Sequence, residues 1–301
     1  MNKKFLSSIY LVIVALIWGL AFVAQSQGMD YLGAFGFSGL RSIVGGIFTI
    51  FLMFIIPGFI KLEEERIDSY IDPKRDLKAG IICGVVLFFA MNAQQIGLKY
   101  STPGKAGFIT ALYIVIIPII KRFFGHKIEF KVLIGVVLSM VGMYLLSVKG
   151  SEGINIGDIV VFISAIFYSI HTLVLAKYTT STDSLRLNTY QFMVCGVLSI
   201  ITAIILRENL SVEAILLSVK PILYVGILSS GIAYTLQIVA LKNIDSTVAA
   251  LINSLESIFA ALGGWLILGQ VLDKRELLGC TIMFIAIIIA QLPDRKDRLH
   301  D

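Results

Sequence analysis

Apolar residues in this chain are gathered into ten runs of about 20 residues, separated by short polar segments. A helix of that length crosses a hydrocarbon core of about 30 Å. The runs are too long for the strands of a membrane barrel and show no alternation with a period of two, so we predict helices. The predicted spans, numbered 1 to 10, are 6–26, 33–56, 78–98, 103–121, 131–148, 157–177, 187–206, 219–241, 246–268 and 275–292.

The second half of the chain repeats the first. The matched positions are 15–19 with 165–169, Arg41 with Gln191 and Gly46 with Gly196 at an offset of 150, and Gln94 with Gln237 at an offset of 143. We therefore divide the chain into a first repeat, 1–150, with spans 1–5, and a second, 151–301, with spans 6–10 and a short tail. Because five is an odd number, the second repeat must enter the membrane from the opposite side. This predicts an all-α membrane protein with ten transmembrane helices as two inverted five-helix repeats, an architecture typical of secondary transporters.

The composition excludes a water-soluble protein, since the mean hydropathy is +0.89 and charged residues make up 15% of the chain. With the N-terminus inside, 17 Lys and Arg residues fall at the inner ends of the spans and 7 at the outer ends. This bias predicts a multi-pass protein of the cytoplasmic membrane with both termini in the cytoplasm. The basic residues are spread over separate inner segments, so no nucleic-acid partner is expected.

Neither the segments that connect the spans nor the cysteines predict a further site. The longest segment, 57–77, carries three consecutive glutamates among basic residues and is interpreted as a solvated connector at the headgroups. A regulatory or partner-binding role for it is the alternative. Cys83, Cys195 and Cys280 all lie within apolar spans and are too far apart for a metal motif.

Several motifs resemble those of a known family. They are Leu-Ile-Trp-Gly at 16–19, Leu-Arg at 40–41, Gln-Gln-Ile-Gly-Leu-Lys-Tyr at 94–100, Gly-Lys-Ala-Gly-Phe-Ile-Thr-Ala-Leu-Tyr at 104–113, Ala-Ala-Leu-Ile at 249–252 and Leu-Glu-Ser-Ile-Phe-Ala at 255–260. On these residues nearly the whole chain resembles an EamA-type member of the drug/metabolite transporter superfamily, with two EamA repeats. The resemblance implies ten helices, a cytoplasmic N-terminus and movement of small metabolites, without naming the substrate. Ser257 replaces the family's usual proline, which predicts a straighter span 9, and His126 and Gln270 replace frequent glutamates.

Glu256 is the clearest candidate for a functional residue. An ionised carboxylate near the centre of span 9 costs about 3 kcal/mol on insertion scales, so it must face water, pair with a cation or carry a proton. Asn253 lies on the same helix face, and at the offset of 143 the two correspond to Thr110 and Tyr113 of span 4. Two symmetry-related helices thus carry a polar pair at the same depth, which predicts a substrate cavity. The alternative is that Glu256 is a structural hydrogen-bond hub.

Further candidates for the cavity wall lie on spans 1 and 6. Tyr168 aligns with Trp18 at the offset of 150. This aromatic pair either stacks on a flat or cationic substrate or only packs the bundle. His171, the only histidine within a span, either bonds a neighbouring side chain or relays protons.

Three more polar residues within the spans are interpreted as gate or structural residues. Arg41 is expected to snorkel toward the outer interface or to bond a carbonyl or an acid in the bundle, with binding of an anionic substrate group as the rival. Gln94 and Gln237, matched in the repeat, lie near opposite membrane faces and are expected to form hydrogen bonds at helix ends or gates.

These features favour a carrier that moves a small metabolite, such as an amino acid, an amine or a related solute, by alternating access, with export as the favoured direction. An enzyme is not expected, because the histidines are scattered and no paired acids, phosphate loop or metal spacing appears. A membrane scaffold or channel-like subunit without active transport is the alternative.

The expected partners are the lipid bilayer and a small-molecule substrate, and no cofactor is expected. Coupling to protons or another ion is left open, as is a homodimer. Since no ATP-binding segment is recognisable, the energy is expected to come from an ion gradient, from exchange or from the substrate's own gradient.

The charge bias makes a testable prediction about topology. A cysteine placed at Ser151 should react with a membrane-impermeant thiol reagent added outside, and a cysteine placed at Ser69 should not. The two segments fall on opposite membrane faces only if each repeat contains five spans. Labelling of both positions from the same side would contradict the inverted arrangement.

Overall fold

The structure of the protein, a computed structural model, describes residues 3–55, 72–101, 103–147, 155–268 and 274–291. Within these ranges the regular structure is helical, and every predicted span coincides with one helix or with helices in series. In the first half the helices are Lys3–Gly28 (span 1), Ala34–Ile55 (span 2), Pro73–Leu98 (span 3), Pro103–Thr110 with Tyr113–Phe123 (span 4) and Phe130–Ser147 (span 5). In the second half they are Ile156–Thr179 (span 6), Ser184–Ile205 (span 7), Val219–Leu223, Tyr224–Ala233 and Tyr234–Leu241 (span 8), Ser246–Asn253 with Glu256–Leu268 (span 9) and Lys274–Gln291 (span 10).

The prediction of ten membrane helices is confirmed. Within the described ranges, eight of the spans are long and apolar enough to cross a membrane, and spans 5 and 10 contribute shorter apolar helices. Most of the predicted connector at 57–77 lies outside the described residues, and so do Ser69, Ser151 and Gln270.

The bundle has an apolar exterior, and polar side chains are buried in its interior among hydrophobic clusters. Large apolar side chains such as Ile47, Phe51 and Phe54 of span 2 are exposed on its outer face, where lipid would cover them. Arg41 and Glu256 are each only 3% exposed. Because lipid offers polar groups no hydrogen bonds, polar side chains are stabilised only inside the bundle, where they find one another or a cavity.

The contacts between spans are the same after the two halves are exchanged. Spans 2 and 7 pack on each other, as do spans 5 and 10, and each of these pairs maps onto itself. The contact of span 3 with span 6 has its counterpart in that of span 8 with span 1. Likewise span 4 meets span 6, and span 9 meets span 1. The pairing agrees with two inverted copies around a common axis.

Spans 4 and 9 are both interrupted, at matched positions. One helix ends at Thr110 and the next begins at Tyr113, while in span 9 the corresponding ends are Asn253 and Glu256. At each interruption an N–H group bonds the carbonyl three residues earlier, rather than four as in an α-helix. These bonds run from Leu112 N–H to the carbonyl of Ile109 and from Leu255 N–H to that of Ile252. The absence of a proline at position 257 therefore does not make the hydrogen bonding of span 9 continuous.

The bundle also has two local features that the hydrophobic pattern does not predict. A ten-residue π-helix, Tyr224–Ala233, forms the middle of span 8, and a short helix, Val212–Leu217, precedes that span. Segments of π-helix are rare and are often found at functional sites.

Ion pairs hold both ends of span 4. At one end Lys105 lies 2.6 Å from Asp158 of span 6, and at the other Lys121 pairs with Asp245, the N-cap of span 9. Burial tends to raise the pKa of Asp245, but its hydrogen bond to Lys121 and the charge of that lysine outweigh burial, so the pKa is lowered. The carboxylate therefore stays ionised at neutral pH, and the pair persists.

Glycines allow the spans to approach closely where apolar side chains gain little by clustering. A Cβ atom at Gly19 of span 1 would lie 2.6 Å from the backbone oxygen of Glu256. A Cβ atom at Gly97 of span 3 would lie 2.7 Å from the backbone oxygen of Gly157 in span 6. Backbone atoms cannot move aside as a side chain can, so these positions accept only glycine without a shift of the helices.

Gly97→Ala should therefore lower the free energy of unfolding by about 1–3 kcal/mol, the usual cost of overpacking. Gly107→Ala is the matched control, because the nearest atom to a Cβ there is 3.5 Å away, an ordinary contact. Thermal unfolding in detergent would compare the two. Equal unfolding midpoints for both variants would contradict the tight packing of spans 3 and 6.

Candidate functional site

A cavity of about 50 Å³ lies at the centre of the bundle. It is lined by residues of seven spans: Trp18, Ala21, Phe22, Gln25, Arg41, Met91, Gln94, Thr110, Tyr113, Tyr168, Ser229, Tyr234 and Glu256. A second cavity of about 20 Å³ shares Trp18, Tyr113, Tyr168 and Tyr234 with the first and is also lined by His171, Thr172, Gln237, Ala250 and Asn253. Every residue selected from the sequence as a binding or gate candidate lines one of the two cavities.

Tyr113 and Glu256 meet across the junction of the two halves. The Tyr113 hydroxyl donates to Oε1 of Glu256 over 3.3 Å, and both side chains are buried. These residues are repeat partners, and each is the first residue after the interruption in its span. The hydrogen bond therefore joins equivalent points of the two halves, so the axis that relates them passes close to it.

A chain of polar side chains continues from this pair along one wall. Tyr168 donates to Oε1 of Gln94 over 3.2 Å, and Nε2 of Gln94 donates to the Thr110 hydroxyl over 3.0 Å. Gln94, expected near a membrane face, thus lies in the cavity wall and connects spans 3, 4 and 6. Thr110, which the sequence predicts to lie in the cavity with Tyr113, accepts this hydrogen bond through its hydroxyl and lines the cavity.

Arg41 also lines this cavity and is buried inside the bundle. Its Nη1 donates to Oε1 of Gln25 over 3.0 Å. Its Nε and Nη2 atoms are buried without a hydrogen-bond partner. Arg41 therefore does not snorkel outward, but it does bond a carbonyl inside the bundle, that of the side-chain amide of Gln25 on span 1.

Aromatic rings form another part of the wall. Trp18 and Tyr234 lie with ring centroids 4.9 Å apart and tilted by 54°, and Phe192 packs edge-on against Tyr234 at 5.0 Å. Trp18 and Tyr168, paired by the repeat, both line the two cavities, but Trp18 packs against Tyr234. The buried indole nitrogen of Trp18 has no partner, so it can donate to a ligand.

His171 is tied into the wall rather than aimed at a ligand. Its Nε2 lies 2.9 Å from Oε1 of Gln191, and Gln191 donates through Nε2 to Asn188. Asn188 in turn donates to the carbonyls of Ser230 and Gly231 within the π-helix. Because Gln191 presents its oxygen to the ring, His171 must donate from Nε2. The Nε2 proton of His171 is therefore engaged in a hydrogen bond to Gln191 within the cavity wall.

The remaining predicted residues lie in the second cavity. Asn253 and Gln237 each have a buried side-chain oxygen without a partner. A buried acceptor without a hydrogen bond is costly unless water or a ligand satisfies it. Among the described residues, no group of three or more His, Cys, Asp or Glu side chains is placed to hold a metal ion.

The structure adds residues that the sequence pattern did not select. Gln25, Tyr234 and Ser229 line the main cavity. Ser229 lies there because it belongs to the π-helix. Gln25 and Tyr234 are polar side chains within apolar spans, so a search for every such residue would have found them, although only the structure shows Gln25 beside Arg41.

Comparison with known proteins supplies a family. A model of the EamA-like transporter family matches residues 5–148 and 155–291, one match in each half. An uncharacterized transporter of Archaeoglobus fulgidus is 28% identical over 96% of this chain and 87% of its own length. The S-adenosylmethionine/S-adenosylhomocysteine transporter of Chlamydia muridarum is 25% identical over 92% of this chain and 91% of its own length. A protein of known crystal structure has the same fold, with a TM-score of 0.76 at 15% identity over 98% of this chain and 99% of the other.

The hydrogen bonds that connect His171 through Gln191 and Asn188 to the π-helix lead to a testable prediction. Asn188→Ala should lower the free energy of unfolding by about 2–4 kcal/mol, because it removes the side-chain donor to the carbonyl of Ser230 and leaves the buried Nε2 of Gln191 without its acceptor. Thr202→Val, on the same span, is the matched control, since the Thr202 hydroxyl bonds only within its own helix. Chemical unfolding in detergent would measure both variants. An equally small effect of the two would show that Asn188 does not support the π-helix.

Proposed function

The chain belongs to the EamA-like transporter family, and on that premise we propose that it moves a small metabolite across the cytoplasmic membrane by alternating access. The observation that carries this proposal is the central cavity, which is lined by the buried Glu256 and Arg41. Charged side chains are costly at this depth in a membrane and are kept mainly where a solute, an ion or water meets them. A polar solute that is transported through the cavity would interact with both side chains.

The architecture supports alternating access as the mechanism. Inverted repeats can exchange conformations, so that a site at their junction opens first to one side and then to the other. The matched interruptions in spans 4 and 9 lie at that junction. We propose that the halves divided at residue 150 rock about these points while the cavity residues hold the substrate.

Orientation and direction are parts of the same proposal. The excess of basic residues at one set of span ends supports cytoplasmic termini. We propose export as the direction. The Chlamydia muridarum relative is named as an S-adenosylmethionine/S-adenosylhomocysteine transporter, which supports a small metabolite as the solute.

Glu256 is proposed to couple transport to a proton or to a cationic group of the substrate. A buried carboxylate is stabilised by either of them. If the two compete for Glu256, binding of one releases the other, and the two fluxes are linked. A scaffold or channel-like subunit without active transport, the alternative, would leave this competition without effect.

Glu256→Gln tests this coupling. The change keeps the shape of the side chain and its bond from Tyr113 but removes titration, so the variant should fold with an unfolding midpoint no lower than that of the wild-type protein and lose pH-dependent flux. It should also retain substrate binding better than Glu256→Ala. The substrate would come from a thermal-shift screen of metabolites, in which a ligand at 100 times its Kd stabilises the protein by about 2.7 kcal/mol, and flux would be measured in liposomes.

Glu213→Gln is the matched control, since Glu213 is exposed on the short helix before span 8. It should keep the rate and the pH profile of the wild-type protein. A wild-type rate and pH profile in Glu256→Gln would contradict the coupling role. Failure of Glu256→Gln to fold would instead establish Glu256 as a structural hub.

A further inference from the structure

A third cavity lies at one end of the bundle, apart from the two at its centre. It measures about 170 Å³ and is lined by Lys121, Lys127, Ile128, Glu129, Val132, Asp245, Thr247 and Val248. None of these residues lines a central cavity. The side chain of Asn243, just before span 9, donates to the Ser7 hydroxyl near the start of span 1. The third cavity therefore lies at the same end of the bundle as the N-terminus.

The charges around this cavity do not cancel. Lys121 pairs with Asp245, and Lys131 lies 2.9 Å from Glu129, so both acids are matched. Lys127 is exposed and forms no ion pair with another described residue. An ammonium group has three N–H donors, so Lys121 can donate to a further acceptor while it keeps Asp245. The cavity is left with one positive charge that the described residues do not match.

A buried hydroxyl adds a neutral donor to these two lysines. Thr247 lines the same cavity, and its hydroxyl is buried without a hydrogen-bond partner. A buried polar group of this kind is costly unless water or a ligand bonds it. Two ammonium groups and a hydroxyl around one space can all donate to the oxygens of a phosphate group. The donors therefore indicate a phosphate as the ligand.

Apolar side chains around the cavity indicate that the phosphate belongs to a lipid. Ile128 and Val132 make part of the cavity wall apolar. Phe123, Phe124 and Phe130, on either side of the segment that lines it, are 86%, 79% and 74% exposed. Apolar side chains at the face of a membrane are covered by acyl chains just below the headgroups. A ligand with a phosphate and an acyl chain would contact both the cavity and these rings.

The repeat shows that the basic residues belong to one face of the membrane. Residues 121–131 contain four Lys and Arg residues, whereas their counterparts at the offset of 143, residues 264–274, contain one. In an inverted repeat these two segments lie on opposite faces. The basic segment lies on the face proposed above to be cytoplasmic. Anionic lipids give the cytoplasmic leaflet a negative surface potential, which attracts basic residues next to the spans.

We propose that the cavity at the ends of spans 4, 5 and 9 binds the headgroup phosphate of an anionic phospholipid from the cytoplasmic leaflet. Lys127, Lys121 and Thr247 donate to the phosphate oxygens, and the acyl chains lie beside Phe123 and Phe124. A zwitterionic phospholipid would bring an ammonium group close to Lys127, whereas an anionic one supplies the missing negative charge. The bound lipid would join span 4 of the first half to span 9 of the second, whatever solute the protein carries.

Lipids with matched acyl chains test the proposal. Full-length protein in detergent would be titrated with dioleoyl phosphatidylglycerol, with dioleoyl phosphatidylcholine and with glycerol 3-phosphate, and the thermal unfolding midpoint would report binding. Phosphatidylglycerol should bind about fivefold more tightly than phosphatidylcholine, the effect of one charge, and glycerol 3-phosphate should not raise the midpoint. Equal binding of the two lipids would overturn the preference for an anionic lipid. Equal stabilisation by glycerol 3-phosphate would mean that the ligand is a soluble phosphate ester.

Lys127→Gln tests the charge in the cavity. Lys127 is exposed, so the variant should unfold at the wild-type midpoint without lipid, and its affinity for phosphatidylglycerol should fall about fivefold. Lys127→Arg should restore that affinity. Lys78→Gln is the matched control, since Lys78 is an exposed lysine at the start of span 3, outside the cavity. An equal loss of affinity in Lys127→Gln and Lys78→Gln would show a general attraction to surface charge and overturn the site.

Ile128→Trp tests the cavity itself, because it fills the space without changing a charge. Ile128 lies in the segment between spans 4 and 5, and the variant should no longer distinguish phosphatidylglycerol from phosphatidylcholine. Leu133→Trp is the matched control, since it adds similar bulk at an exposed position of span 5 that does not line the cavity. It should keep the wild-type preference. A wild-type preference in Ile128→Trp would mean that the lipid does not bind in this cavity.

Discussion

The hydrogen bond between Tyr113 and Glu256 is the point on which the rest of the structure depends. It joins equivalent positions of two inverted repeats at the place where both of their helices are interrupted. A transporter of this kind needs a site at the junction of its halves and backbone that can adjust there. Here one contact supplies a fixed carboxylate, a link between the halves and a position beside both interruptions.

The membrane explains why polar side chains gather around that contact. Lipid forms no hydrogen bonds, so a polar group placed in a span is stabilised only if it faces inward. Glycines at the contacts between spans bring the helices close together and exclude lipid from the interior. Arg41 and Glu256 both line the cavity that this interior contains.

A second layer of contacts holds the cavity wall in shape. His171, Gln191 and Asn188 form a continuous chain from the cavity to the π-helix of span 8. The same π-helix carries Ser229 into the cavity wall. Because Asn188 bonds carbonyls in that helix, a change in the position of span 8 would alter the hydrogen bonds that lead through Gln191 to His171. These hydrogen bonds therefore join spans 6, 7 and 8 to one another.

The sequence by itself determined the membrane class, the ten spans and the repeat, because length and hydropathy are local properties and an internal match needs no coordinates. It also predicted that Glu256 and Tyr113 share a cavity, since the two positions match in the repeat at the offset of 143. Only the tertiary structure decided that Arg41 lies inside and bonds Gln25, that Gln94 belongs to the wall, and that Trp18 packs on Tyr234 rather than on Tyr168. Each of these three contacts depends on how one span is rotated against another. The packing of residues that are distant in the sequence sets that rotation, and a hydrophobic pattern does not encode it.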